Sequence, residues 1–410
     1  MTTIRKAFVA AALLLSSQFL TLNSVEAQVS LDWHGFVNPH YYADSRSVVG
    51  GREDMMLFYP KPIVRDSLGN DLNNDWQANM LAITARLGLK INGPEMLGAN
   101  TSAYIEGDFT GSTNATINNL RLRHAYIKTE WGSGSEAAFT TIVGQYWYPM
   151  VIHEIMPMTN PLNMGAPFHC YARQPQVRYD LMFPESVHNI FTASWQLDNA
   201  SQGLLDGVPT TSTQFARHTL IPELNYRFSI GEKSLLGVAF NWKTIQPIVP
   251  DPQDSRHTTF SWTIFGKWTY CVEDSTREEK PRYVLKGQAL LNNSLYEGCS
   301  LGGYLMLADS TFEDWHFNTV WLDNEYIFSS NCRVGLFLGI AKNLDYGKHT
   351  DALHIFGRGH DIEYLWRIQP RFSWTTWYGV TYTCEAEYTY AGYAEPVGNL
   401  RLSLSMTYAF

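Results

Sequence analysis

Residues 400–410 read Leu-Arg-Leu-Ser-Leu-Ser-Met-Thr-Tyr-Ala-Phe. Leu400, Leu402, Leu404, Met406, Tyr408 and Phe410 fall on one side of an extended chain, and Arg401, Ser403, Ser405, Thr407 and Ala409 on the other. Successive side chains of a strand point to opposite faces, so this period of two commits the segment to a strand that is apolar on one side only. The alternation recurs at 81–91, 101–109, 258–270 and 362–370, and a helical period is almost absent. Eleven alternating residues is about the length of a tilted strand that crosses a bilayer.

Composition narrows the choice. Only 17% of residues are charged and 14% are aromatic, with 13 Trp, 23 Tyr and 21 Phe, which is incompatible with a disordered chain. The longest apolar run after residue 27, 334–341, is far shorter than a spanning helix of about 20 residues. An isoelectric point near 5.7 argues against a nucleic-acid partner. The first 27 residues read as a secretory signal peptide: Arg5-Lys6, an apolar stretch over Ala7–Leu15, and Val25-Glu26-Ala27 as the cleavage site. Five cysteines, at 170, 271, 299, 332 and 384, give neither a disulfide framework nor a zinc pattern, although one bridge stays open.

The expected fold is all-β, and the alternatives are a soluble sandwich and a transmembrane antiparallel barrel over 28–410. About sixteen strands are expected, at roughly 29–42, 80–91, 100–110, 119–131, 138–147, 175–183, 188–197, 218–230, 234–246, 257–271, 281–293, 317–328, 333–344, 360–375, 378–391 and 397–410. The connections alternate long and short along the chain. A sandwich has no reason to sort loops by parity, whereas a barrel with short periplasmic turns and long extracellular loops does. The barrel is therefore the better reading. Trp131, Trp147, Trp195, Trp268, Tyr388 and Tyr408 are candidates for the aromatic girdles at the membrane surfaces.

A barrel of this size leaves an aqueous channel unless something fills it. The third long connection, 148–174, is unusually apolar, with Met150, Ile152, Ile155, Met156, Met158, Met164 and Phe168. Such a loop avoids water by folding into the barrel, with Glu154, Met156 and Arg173 at a constriction, or by packing under other loops or a second subunit. Arg86, Arg121, Arg123, Arg178, Arg227, Arg367 and Arg371 lie in expected strands opposite apolar neighbours. A lipid-facing Arg at the bilayer midplane costs about 2–4 kcal/mol, so these seven should line the pore. There they either attract anions or pair with inward acids such as Asp32, Glu106, Asp108, Glu223, Asp323, Glu325 and Glu363. After Arg123 the alternation falters, and a bulge would account for it.

Leu120-Arg-Leu-Arg-His-Ala-Tyr-Ile127, Val143-Gly-Gln-Tyr-Trp147 and Arg173-Gln-Pro-Gln-Val-Arg-Tyr179 resemble the trimeric outer-membrane porins of the DcaP type. The opening Gly35-Phe-Val37 and the terminal Phe410 fit the same picture. The likeness is sharp over 120–179 and architectural elsewhere. It implies a homotrimer in outer-membrane lipid that passes small anionic solutes such as dicarboxylates by diffusion, without cofactor. Tyr408 and Phe410 would then be the C-terminal signal read by the barrel assembly machinery. The chain differs in having no coiled-coil extension after the leader, which would leave trimer stability to the barrel walls.

Two other functions compete. An outer-membrane enzyme would need a catalytic constellation, yet His153-Glu154 lacks a second His at metalloprotease spacing and no Ser occupies a Gly-x-Ser-x-Gly turn. No enzymatic activity is therefore expected. His349, His354 and His360, with Asp351 and Asp361, share one loop, where solvated histidines are commoner than a metal site. A surface adhesin or scaffold built on the long loops is the third reading.

Overall fold

The structure is a computed structural model that describes residues 29–410 apart from 133–136, 161–163, 196–202, 206–207, 211–218, 247–255, 273–280, 294, 296–297, 309–310 and 349–351. The leader read over 1–27 lies outside the described residues, as do His349 and Asp351. Sixteen crossing strands close into one antiparallel barrel. They are β1 (Ser30–Val37 and His40–Asp44), β2 (Gln77–Leu81 and Arg86–Asn92), β3 (Asn100–Asp108), β4 (Arg121–Trp131), β5 (Ala138–Trp147) and β6 (Arg173–Phe183). There follow β7 (Val187–Ser194), β8 (Glu223–Gly231), β9 (Leu235–Ile245), β10 (His257–Cys271) and β11 (Arg282–Asn293). The circuit ends with β12 (Phe317–Ser329), β13 (Cys332–Asn343), β14 (Tyr364–Thr375), β15 (Val380–Ala391) and β16 (Val397–Ala409).

β1 and β2 are each interrupted, and the interruptions lie side by side. Pro39 has no N–H to give the ladder, and Thr84 in the matching break of β2 donates its hydroxyl to the Asn38 carbonyl (3.2 Å). The barrel closes where β1 meets β16. Phe36 pairs with Ala409, Val37 with Tyr408 and His40 with Ser405, and Gly35 and Phe410 exchange both backbone hydrogen bonds (2.9 and 3.0 Å).

The two faces separate as the alternation requires. In β16, Leu402, Leu404 and Met406 are exposed on the outside, while Asn399, Arg401, Ser403 and Ser405 are buried within. Trp195, Trp268, Tyr388 and Tyr408 are exposed on the outer surface, and Trp131 stacks on Phe139. Trp147 departs from the girdle reading. It is buried, and its ring lies 4.0 Å from the Arg173 guanidinium and 5.6 Å from the Tyr171 ring.

Several strand ends move; β2, for one, starts at Gln77 rather than 80. β6 starts at Arg173 rather than 175, so Arg173 belongs to the wall and not to the third loop, because its backbone already pairs with Trp147. β14 starts at Tyr364 rather than 360, which leaves Glu363 on the rim, bound to Lys342 at 2.6 Å. β8 starts at Glu223 rather than 218.

The long loops carry structure that local alternation did not foretell. L1 (45–76) forms a hairpin, Val48–Gly51 with Met56–Pro60, whose apolar side chains are buried. Strands from L4 (195–222), L6 (294–316) and L7 (344–363) form a separate five-stranded sheet of Gly203–Leu205, Val208–Thr210, Gly302–Met306, Phe312–Trp315 and His354–Arg358. The third loop, L3 (148–172), lies against the inner wall, and the wall makes room for it. A Cβ added to Gly339 of β13 would meet the Phe168 ring at 2.7 Å, whereas Gly339 itself leaves that space to the loop.

Gly339→Val should therefore push Phe168 off the wall and cost about 1–3 kcal/mol. The temperature at which the folded band is lost in heat-modifiability electrophoresis should fall. An unchanged midpoint would show that this contact does not hold L3.

Candidate functional site

L3 travels around one side of the barrel interior, strand by strand. Tyr148 donates to Glu223 of β8 (2.7 Å), and the Met150 carbonyl accepts from Gln288 of β11 (3.5 Å). Glu154 pairs with Arg227 of β8 (2.8 Å), and the Met156 carbonyl accepts from Lys286 of β11 (3.2 Å). The Met158 amide donates to Asp323 of β12 (3.1 Å), and the Asn160 amide donates to Glu385 of β15 (3.1 Å). Asn160 is tied to β16 by bonds with Ser403 and Ser405 (3.2 and 2.6 Å). The return leg gives the Ala166 carbonyl to Arg367 of β14 (2.7 Å) and the Phe168 carbonyl to Thr319 of β12 (3.2 Å). Burial would raise the Glu154 carboxyl, but the charge and hydrogen bond of Arg227 overcome it and bring it to about 2.

L1 covers the next part of the same side. Arg367 donates to the carbonyls of Leu57 and Phe58 (3.0 and 3.1 Å), and Arg401 to those of Asp54 and Met55 (2.7 and 3.1 Å). The wall from β11 to β16 with β1 thus holds Lys286, Arg367, Arg371 and Arg401 against Asp44, Asp323, Glu325, Glu385 and Glu387. Its ion pairs are close: Arg401–Asp44 2.7 Å, Arg371–Asp323 2.7 Å, Lys286–Glu325 2.8 Å and Arg367–Glu387 3.0 Å. Four cations face five acids.

The wall from β2 to β6 is built differently. A bulge in β4 sets Glu106 opposite His124 and Gly107 opposite Leu122, leaving Arg123 as the extra residue. Arg123 and His124, neighbours in the chain, are consequently both buried on the inside, and the alternation restarts with Tyr126 and Lys128 inward. Arg123 bonds Glu106 (2.5 Å) and Asp108 (2.8 Å), Arg121 bonds Asp108 (2.9 Å), and Arg86 lies 3.6 Å from Glu106. Arg173 joins the cluster through the Tyr171 hydroxyl (3.0 Å) and His124 (3.3 Å). Arg86, Arg121 and Arg123 thus share two carboxylates. Beside them Arg178 pairs with Asp180 (3.2 Å) over the Tyr146 ring. The side chains of Arg121, Arg178 and Arg86 keep 10%, 14% and 15% exposure. The Nε and Nη2 of Arg86, the Nη2 of Arg123 and the Nε of Arg178 make no hydrogen bond. A belt of rings runs along this wall: His34–Tyr104 at 5.5 Å, Tyr104–Tyr126 at 5.5 Å and Tyr126–Tyr146 at 5.0 Å.

All seven strand arginines singled out by alternation thus have a carboxylate nearby, and they divide between two settings. Arg86, Arg121, Arg123 and Arg178 stand on the β2–β6 side, while Arg227, Arg367 and Arg371 hold L3 or the opposite wall. Arg401, Asp44, Glu385, Glu387, His124 and Tyr171 were not singled out. Arg401 lay on the polar face of the clearest strand, and Met55-Met-Leu-Phe-Tyr59 is as apolar for a loop as L3. Both signals were present. Among the described residues, no group of three or more His, Cys, Asp or Glu is placed to hold a metal ion.

No protein-family model and no curated protein matches the sequence. In fold, the chain is similar to the outer membrane channel DcaP of Acinetobacter baumannii, with a TM-score of 0.66 and 16% identity over 95% of this chain and 99% of that one. The Salmonella typhi OmpF complex with daunomycin gives a TM-score of 0.51 and 10% identity over 93% of this chain and 97% of that one. The trimer form of Vibrio cholerae OmpT gives 0.50 and 7% over 93% and 99%. The chain therefore has the porin type of barrel, with an apolar outer face suited to lipid.

Tyr171 reports on the field of the arginine cluster. Burial would raise its phenol, but Arg123, Arg173, Arg86 and Arg121 together lower it to about 7. A spectroscopic titration should show one tyrosine ionising near pH 7, and Tyr171→Phe should remove that step. The phenolate gains in the fold what the unfolded chain lacks, so its contribution to stability grows as pH rises from about 7 towards the ordinary tyrosine value near 10. Titration of every tyrosine only near 10 would contradict the cluster.

Proposed function

We propose that the chain is a passive pore for small hydrophilic solutes that prefers anions, in particular extended dicarboxylates, and that it works as a homotrimer. The excess of Arg86, Arg121 and Arg123 over Glu106 and Asp108 on β2–β4 carries this reading, with Arg178 paired to Asp180 beside them. L3 and L1 cover the other side, where the charges nearly cancel, so a solute passing L3 meets the positive side. Low-dielectric walls focus such a field and raise the local concentration of anions. Arg86, Arg121 and Arg178 keep part of their guanidinium side chains exposed, and planar guanidinium groups suit carboxylate geometry.

On this reading the arginines have two functions. Arg86, Arg121, Arg123 and Arg178 select, whereas Arg227, Arg367 and Arg371 position L3 and stiffen the wall. Glu154 and Met156 anchor the constriction through Arg227 and Lys286. Arg173 supports it from β6. Tyr408 and Phe410, at the closing seam, are the natural C-terminal mark for barrel assembly, and a leader over 1–27 would deliver the chain. The fold likeness to a channel, and to a barrel with a trimer form, supports the assembly and the transport class.

Purified protein in planar bilayers should conduct in steps, with anions permeating better than cations. Arg86→Ala with Arg121→Ala should lower the anion-to-cation permeability ratio by roughly twofold or more, and Lys at the same positions should retain most of it. Membranes silent at all voltages would overturn the pore. An unchanged ratio in the double variant would assign the cluster to wall structure alone.

A further inference from the structure

Cys170 and Cys299 are the two cysteines inside the barrel, on L3 and L6, and both belong to the main buried apolar cluster. The structure holds both as thiols. The backbone brings them together: the Tyr171 amide donates to the Gly298 carbonyl at 2.5 Å. Each cysteine adjoins one end of that bond, and a directional N–H···O bond sets the two Cα atoms to the side of its axis. Standard peptide dimensions then keep the Cα atoms within about 7 Å, the span that a disulfide bridges without backbone movement. The Cys170 side chain also points towards L6, because a Cβ built on Gly298 would lie 3.6 Å from its Sγ. The remaining cysteines sit elsewhere. Cys271 ends β10, Cys332 begins β13 and Cys384 lies in β15, all near the short-turn end.

We propose that Cys170 and Cys299 are joined by a disulfide in the exported protein, and that this bond staples the return leg of L3 to L6. The proposal rests on the outer-membrane location of the proposed pore. A chain bound there crosses an oxidising compartment, where disulfides form and persist. The oxidant is a protein or small-molecule disulfide. One cysteine thiolate attacks it to give a mixed disulfide and releases one thiolate. The second cysteine thiolate then displaces the other sulfur. Two thiols of the chain lose two electrons and two protons, and the donor disulfide becomes a dithiol. Both sulfurs are shielded in the folded barrel, so oxidation accompanies folding and the finished bond resists reduction while the fold is intact.

The staple gives L3 a covalent anchor close to the arginine cluster, since Tyr171 follows Cys170 directly. Without it, the return leg keeps its hydrogen bonds to Arg367, Thr319 and Gly298 and the packing of Phe168, but has no covalent tie.

The test uses protein extracted from outer membranes, denatured in an alkylating agent without reductant, digested and weighed. The expected map has a peptide pair linked through Cys170 and Cys299, with Cys271, Cys332 and Cys384 alkylated. Alkylation of Cys170 and Cys299 without reductant overturns the bond. Cys170→Ser should raise open-channel current noise severalfold, and reductant after denaturation and refolding should do the same to the native chain but add nothing to the variant. Equal noise in both would overturn the stapling role. The thiol map needs no current, so failure of the pore reading and failure of the bond are read separately.

Discussion

Lipid offers no partner to a backbone N–H or carbonyl, so a sheet in the membrane must close on itself. The rest of this molecule depends on that closure, made by β1 against β16 and sealed by the paired bonds of Gly35 and Phe410. Closure defines an inside. Every second residue of sixteen strands is committed to it, and the inside has to accommodate whatever those residues and the longest loops bring. The outer face has only to be apolar.

The inside is organised by charge pairing and by loops that avoid water. Breaking one partner of a buried pair such as Arg401–Asp44 or Arg367–Glu387 would strand a charge at a cost of about 3–5 kcal/mol, so these contacts specify geometry more than they add net stability. The same arginines donate to loop carbonyls, which converts a charged wall into a bed for L1 and L3. The glycines at 335 and 339 serve the same end: one leaves space for the Arg371 guanidinium and the other for the Phe168 ring. On the proposed function, the side then left to solutes is the arginine-rich wall of β2–β6.

The barrel, its strand number and the alternation of loop lengths were legible because each follows from local period and turn spacing. The inward direction of Arg121 and Arg367 was legible for the same reason. The placement of Arg173 was misread because strand pairing with Trp147 continues past the end of clean alternation. Trp147 was misread because a ring suited to a membrane surface is equally suited to a guanidinium. The phase shift at Arg123 was visible as a fault in the pattern, but which residues it turned inward depended on the register with β3. L1 carried the same apolar signal as L3 and was not given the same meaning.

By itself, the sequence determined a strand-built barrel with an apolar outside, a polar inside and long loops at one rim, since a side-chain period of two and the length needed to cross lipid are local properties. Only the tertiary structure decided which charges face one another. Arg86 comes from β2, Arg121 and Arg123 from β4, and their excess over Glu106 and Asp108 of β3 exists only once β2 to β4 are in register. The path of L3 along β8 to β16, and the approach of Cys170 to Cys299, were decided in the same way. Each joins residues far apart in the chain, and no local pattern records a distance across the barrel.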